Sequence, residues 1–154
     1  MGLDMYLQAK KYHSGYRRDE NGEYVPKPAK LIDGMPLREE TMELMYWRKN
    51  HWLHGFIVEE FADGEDDCKP VYISAEDAEK IADKLEEWAD NPEALSPTDG
   101  FFFGVRPTDE NYEEWRDEYR AEAKAEAKDI RRAVLWLRDA PDHEWRSLEY
   151  QASW

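Results

Sequence analysis

Cysteine is nearly missing from this chain. Cys68 is the only one among 154 residues, so no intramolecular disulfide can form and a reducing compartment fits. Long apolar runs are missing too: nothing approaches the roughly eighteen residues of a membrane span, and no membrane contact is expected. The start lacks a basic segment followed by an apolar core, so no secretory signal is expected. Met1-Gly2 opens like a myristoylation signal, but Tyr6 stands where Ser or Thr is required. A cytoplasmic protein is the expectation. Catalytic signatures are also lacking. There is no G-x-S-x-G, no phosphate-binding Walker loop, no dinucleotide glycine fingerprint and no His-Glu-x-x-His. Four histidines and many carboxylates offer acid–base partners, but no spacing selects a pair, so no catalytic residue and no cofactor is assigned. His51, His54 and Cys68, with Asp63, Glu65 and Asp66 nearby, lack the paired ligand run of a structural zinc site, so metal is not expected.

Positive charge is scarce as well. Against 36 Asp and Glu stand 21 Lys and Arg, for a net charge of -15. That balance disfavours direct binding of nucleic acid or an anionic membrane. The deficit is uneven: residues 1–50 hold nine basic and eight acidic side chains, whereas residues 51–154 hold twelve and 28. What the chain has in quantity is rings. Aromatics make up 14%, with seven Trp and nine Tyr, so both core and any pocket must be built largely from them. A chain of this length is expected to fold as one domain, 1–154.

Hydrophobic periodicity orders the elements. Leu3, Met5 and Leu7 alternate with Asp4, Tyr6 and Gln8 over 2–12, which predicts a half-buried strand. Residues 14–36 read as a long excursion with a hairpin at Asn21-Gly22. A second strand spans 43–48, with Met45 and Trp47 on one face and Leu44, Tyr46 and Arg48 on the other. Asn50 then caps a helix whose stripe is Leu53, Ile57 and Phe61, widened by Trp52 and Phe56. Val71-Tyr72-Ile73 is a short strand. Ser74 with Asp77 resembles a capping box opening a helix to about Asp90, with Ala78, Ile81, Leu85 and Trp88 inward. Thr108 is expected to cap a long helix to about Asp139. Its Ala-Glu-Lys middle, 121–128, is expected to project over solvent. Residues 144–154 alternate again and should pair with the first strand. The class predicted is α+β: a small antiparallel sheet, terminal strands adjacent, against about three helices, one of them long.

Two segments carry candidate chemistry. Tyr46-Trp47-Arg48-Lys49 and His54 bring rings, fixed cations and an imidazole to a strand-to-helix junction, where free helix N–H groups attract anions. The plainer reading makes Trp47 core and leaves Arg48 and Lys49 in surface ion pairs. Downstream, Thr98 and Asp99 precede Gly100-Phe101-Phe102-Phe103-Gly104. Three consecutive Phe cannot all face one way, and the flanking glycines permit turns, so a ring-lined pocket wall is expected.

The stretches Gly2-Leu3-Asp4-Met5-Tyr6-Leu7, Tyr46-Trp47-Arg48-Lys49, Leu53-His54, Pro97-Thr98 to Gly104, and Tyr150-Gln151-Ala152-Ser153-Trp154 resemble an uncharacterised small protein family recurrent in bacteriophages, prophages and plasmids. The resemblance spans both ends and the middle. His51 stands where that family tends to have Asn, and the long acidic helix is extended. What the resemblance implies is a phage-associated accessory protein of the host cytoplasm, of a kind that often counters host defence. The expected function is noncatalytic sequestration of a small anionic, nucleotide-like ligand. Trp47 with Phe101, Phe102 and Phe103 would enclose its base; Tyr46, Arg48, Lys49, His54 and Thr98 would complete the site. The alternative is an acidic inhibitor, mimicking nucleic acid, that blocks a host protein through the helices opened by Ser74 and Thr108. Exposed ring-bearing sheet edges leave room for a homodimer.

Overall fold

The computed structural model describes residues 2–154. Strand β1 (Asp4–His13) lies between β6 (Glu39–Arg48) and β8 (Glu144–Ser153), and the short β7 (Val71–Ile73) closes the order β6-β1-β8-β7, antiparallel throughout. The first and last strands are therefore direct neighbours, paired from Asp4 opposite Ser153 to His13 opposite Glu144. Three helices complete the α+β architecture: α1 (His51–Phe61), α2 (Ala75–Asp90) and the 27-residue α3 (Tyr112–Arg138). No helix among the described residues is long and apolar enough to cross a membrane.

One face of the sheet makes the core. Leu3, Met5, Leu7, Trp47, Ile73, Leu148, Tyr150 and Ala152 point inward and meet Trp52, Leu53 and Ile57 of α1, Ala78 to Trp88 of α2, and Ile130 and Val134 of α3. The period-two alternation of each strand puts the intervening residues on the other face, where Tyr12, Tyr46, Tyr72 and Trp145 remain exposed. A register shift between Leu7 and Gln8 makes Leu44 an extra residue of β6, so the side chains beyond it change face relative to a regular ladder.

Local signals explain the helix starts. Asn50 Oδ1 accepts from Leu53 N–H at 3.2 Å, and Ser74 with Asp77 forms a reciprocal capping box. Asp63 and Gly64, both at positive φ, turn the chain out of α1. Thr108 does not cap α3. Asp109 instead closes a turn by accepting from Arg106 N–H at 2.7 Å, and the helix begins at Tyr112 behind Asn111. Nor does the middle of α3 project over solvent: Ala123 and Ala127 are fully buried. Their small side chains, one helical turn apart, let α3 lie close to α2, and Lys124–Asp90, Arg131–Glu86 and Arg120 with the Trp88 carbonyl lock the pair.

The excursion between β1 and β6 holds two miniature hairpins, β2 (Tyr16–Arg18) with β3 (Tyr24–Pro26) and β4 (Leu31–Ile32) with β5 (Met35–Pro36). The first turns at Asn21-Gly22 as the sequence predicts; the second, at Asp33-Gly34, is an addition.

Candidate functional site

The ring-lined segment is held in place from three sides. The Thr98 N–H donates to His51 Nδ1 at 3.0 Å, the Leu3 N–H donates to the Phe102 carbonyl at 3.2 Å, and Phe103 N–H returns to the Gly100 carbonyl at 3.2 Å. Leu95 and Phe103 anchor it in the core. Two glycines set how closely it packs. A Cβ on Gly55 would fall 1.8 Å from Thr98 Oγ1, and one on Gly100 would fall 2.5 Å from the Phe103 ring. Helix α1 thus accepts the loop against its backbone only because residue 55 has no side chain.

His51, which receives the loop, is buried, and burial drives its pKa down to about 4. The ring is neutral: Nδ1 accepts from Thr98, so the proton sits on Nε2, which is buried near the Val105 backbone without a well-formed hydrogen bond among the described residues. Among the described residues no three His, Cys, Asp or Glu side chains gather closely enough to hold an ion.

Between α1 and this loop lies a cavity of about 760 Å³. Phe56, Phe101, Phe102, Phe103 and Trp154 supply its rings, Gly55 and Thr98 its back wall, and Lys84 of α2 reaches its edge. His54 lies in the wall with Phe103 edge-on to it, ring centroids 5.1 Å apart, and Phe103 meets Trp154 at 6.2 Å. His54 uses both nitrogens. Tyr150 Oη–H donates to Nδ1 at 2.7 Å, and Nε2–H donates to Asp66 Oδ2 at 2.9 Å, while Trp154 Nε1–H reaches Asp66 Oδ1 at 3.1 Å. Burial keeps the Tyr150 phenol protonated far above its ordinary range, so it remains the donor. This relay fixes the imidazole as wall rather than leaving it free as an anion ligand.

The sequence-predicted residues therefore divide. His54, Thr98, Phe101, Phe102 and Phe103 line one cavity; Tyr46, Trp47, Arg48 and Lys49 do not. Strand alternation is the reason. Trp47 turns inward, 4% exposed, with its indole N–H donated to Glu126 Oε1 at 2.8 Å, so it cannot stack on a ligand. Tyr46 and Arg48 turn outward beside Asp4, which accepts from Tyr46 Oη at 2.6 Å and faces Arg48 Nε at 4.0 Å. Lys49 runs behind the loop: a Cβ on Gly2 would stand 3.1 Å from Lys49 Cε and 3.9 Å from both Arg48 Nη2 and the Phe102 carbonyl. The two cations thus approach the backbone side of the phenylalanine segment, not its ring-lined side. The α1 N-terminus is closed in as well: Asn50, His51, Trp52 and Leu53 are buried, and the Asn50 side chain takes the Leu53 N–H.

Trp154, Asp66, Phe56 and Gly55 belong to the site and were not selected from sequence. Gly55 carries the one signal that marks it: a glycine inside an otherwise regular amphipathic helix implies a close approach. No protein-family model, curated protein or solved structure matches this chain.

Proposed function

We propose that this protein is a noncatalytic binding module that captures a small, flat, ring-bearing molecule of nucleobase type in the cavity between α1 and residues 95–103. The observation that carries the reading is the cavity itself: about 760 Å³, walled on several sides by Phe56, Phe102, Phe103 and Trp154, with Phe101 86% exposed at its mouth. That volume suits a ligand of nucleoside size. Stacking on such rings is worth about 1–3 kcal/mol per base. Among the described residues, no lining hydroxyl is hydrogen-bonded to a base, and His54 is spent on Tyr150 and Asp66. Affinity without turnover is the chemistry that remains, and it is what sequestration requires. In a nucleotide the base would enter the cavity, and the phosphates would extend outward past Phe102 into solvent. The role as a phage accessory protein that blunts a nucleotide-signalled defence rests on the sequence resemblance.

The test is a panel of purine and pyrimidine nucleosides and nucleotides read by tryptophan quenching and thermal shift. A saturable response that Phe102→Ala removes, with the ligand recovered unaltered by mass spectrometry, is the expected result. A flat response across the panel removes the reading, and recovery of a hydrolysed product removes its noncatalytic part.

A second reading is supported by Glu110, Glu113, Glu114 and Glu118, which crowd the exposed start of α3 and form no ion pair among the described residues. They would let the protein occupy a basic, nucleic-acid-binding surface of a host protein. Glu113→Lys with Glu114→Lys and Glu118→Lys should then abolish displacement of DNA from such a protein, while Phe102→Ala leaves it intact.

A further inference from the structure

The charges around the cavity do not match an anion. Glu59, Glu60, Asp66 and Asp99 line it, and among the described residues the only fixed cation lining it is Lys84. Lys84 is already committed: its ammonium lies 2.6 Å from Glu87 Oε2 and 5.8 Å from the Phe56 ring centroid. Asp66 is committed to His54 and Trp154. Glu59, Glu60 and Asp99 are exposed and have neither a cationic partner nor a hydrogen-bond donor among the described residues. The ring faces carry the same sign of potential, because an aromatic quadrupole is negative above its plane. Walls and rim therefore attract the same thing.

Resting on the cavity reading above, we propose that the cavity selects a flat organic cation, such as an alkylated or protonated nucleobase or a guanidinium, over its neutral or anionic counterpart. The ring system stacks among Phe56, Phe102 and Trp154, which keep open ring surface, with buried Phe103 behind them. The positive edge and its N–H groups face Glu59, Glu60 and Asp99, whose free oxygens accept. Phosphate groups on the same ligand are then a liability inside the cavity, tolerated only where they leave it. Arg48 and Lys49 lie outside this recognition and contribute little to it.

The experiment holds the ring constant and changes its charge. Tryptophan quenching of the full chain is titrated with guanosine 5′-monophosphate, guanosine and 7-methylguanosine, and in a separate arm with N-acetyl-arginine amide, which carries a flat cation and no base. The expected order is 7-methylguanosine tightest, guanosine about tenfold weaker, and the monophosphate weaker still. Glu59→Gln with Asp99→Asn, both exposed and isosteric, should reduce the methylation preference to about threefold or less with little effect on guanosine itself. Binding of N-acetyl-arginine amide alone assigns the cation to a peptide side chain and removes the nucleobase reading while the cation preference stands. Equal affinities for the three guanosines, or tightest binding of the monophosphate, overturn the cation inference and leave the cavity reading in place. No response to any of the four probes overturns both.

Discussion

The outer face of the sheet and the cavity beside α1 are built from similar side chains to opposite ends. On the sheet face, Tyr46, Asp4 and Arg48 satisfy one another, and Lys10 sits between Glu39 and Glu149. In the cavity the rings keep an open space between them, and three rim carboxylates have no partner among the described residues. A surface whose polar groups are mutually satisfied has little left to offer a ligand, whereas a hollow with unspent acceptors does. Tyr46 and Arg48, conspicuous in the sequence, fall in the first class, and the cavity proposed to bind a ligand is in the second.

The largest test of this contrast separates two neighbours in the chain. Trp47→Ala should cost about 3–5 kcal/mol of stability, because it empties a buried ring position, while Tyr46→Ala should cost about 1 kcal/mol or less. Urea denaturation of both variants measures the difference, and similar costs would mean that the alternation across β6 is misassigned.

Next in size is an acid sensitivity on the cavity side. His51 is neutral in the fold, with its pKa lowered from 6.5 to about 4 by burial. The unfolded chain binds that proton first, so the contribution is full above pH 6.5 and lost as pH falls toward 4. It amounts to about 3 kcal/mol. Because His51 receives the Thr98 N–H, the phenylalanine loop should loosen in the same window, seen as faster amide exchange at residues 98–103. Protection unchanged down to pH 4 would argue that the loop does not depend on that imidazole.

Glu126 behaves in the opposite sense. Burial beneath Trp47 raises its pKa from 4.5 to about 7. Its contribution is full below pH 4.5 and lost as pH rises through 7, so Glu126→Gln, which still accepts from Trp47, should gain about 2 kcal/mol at pH 8 and almost nothing at pH 4.5. A gain independent of pH would place the effect elsewhere. Smallest is Gly55→Ala. Its methyl must displace Thr98, costing about 1–2 kcal/mol of stability, but it should weaken nucleoside binding at least as strongly as it weakens the fold.

Much of the architecture was legible before any coordinates. Leu3, Met5 and Leu7 named the first strand, Ser74 with Asp77 fixed the start of α2, Asn50 that of α1, and the pattern at 144–154 placed the last strand beside the first. These are short-range signals, and local physics decides them. Two misreadings came from weighing composition over periodicity. The Ala-Glu-Lys run of α3 looks solvated when counted, yet Ala123 and Ala127 are one turn apart and face α2. Tyr46 to Lys49 look like one patch when read along the chain, yet a strand sends alternate side chains to opposite faces. The site was half legible: the triple Phe with Thr98 and His54 belongs to it, but Asp66, Phe56 and Trp154 arrive from segments distant in sequence, and no local pattern ties Trp154 Nε1 to Asp66.

The most direct measurement follows indole N–H resonances, assigned by single Trp→Phe variants, during titration with 7-methylguanosine. The account predicts a saturable shift of the Trp154 signal while the Trp47 signal, tied to Glu126 in the core, stays in place. A Trp47 shift accompanied by a stationary Trp154 would contradict it.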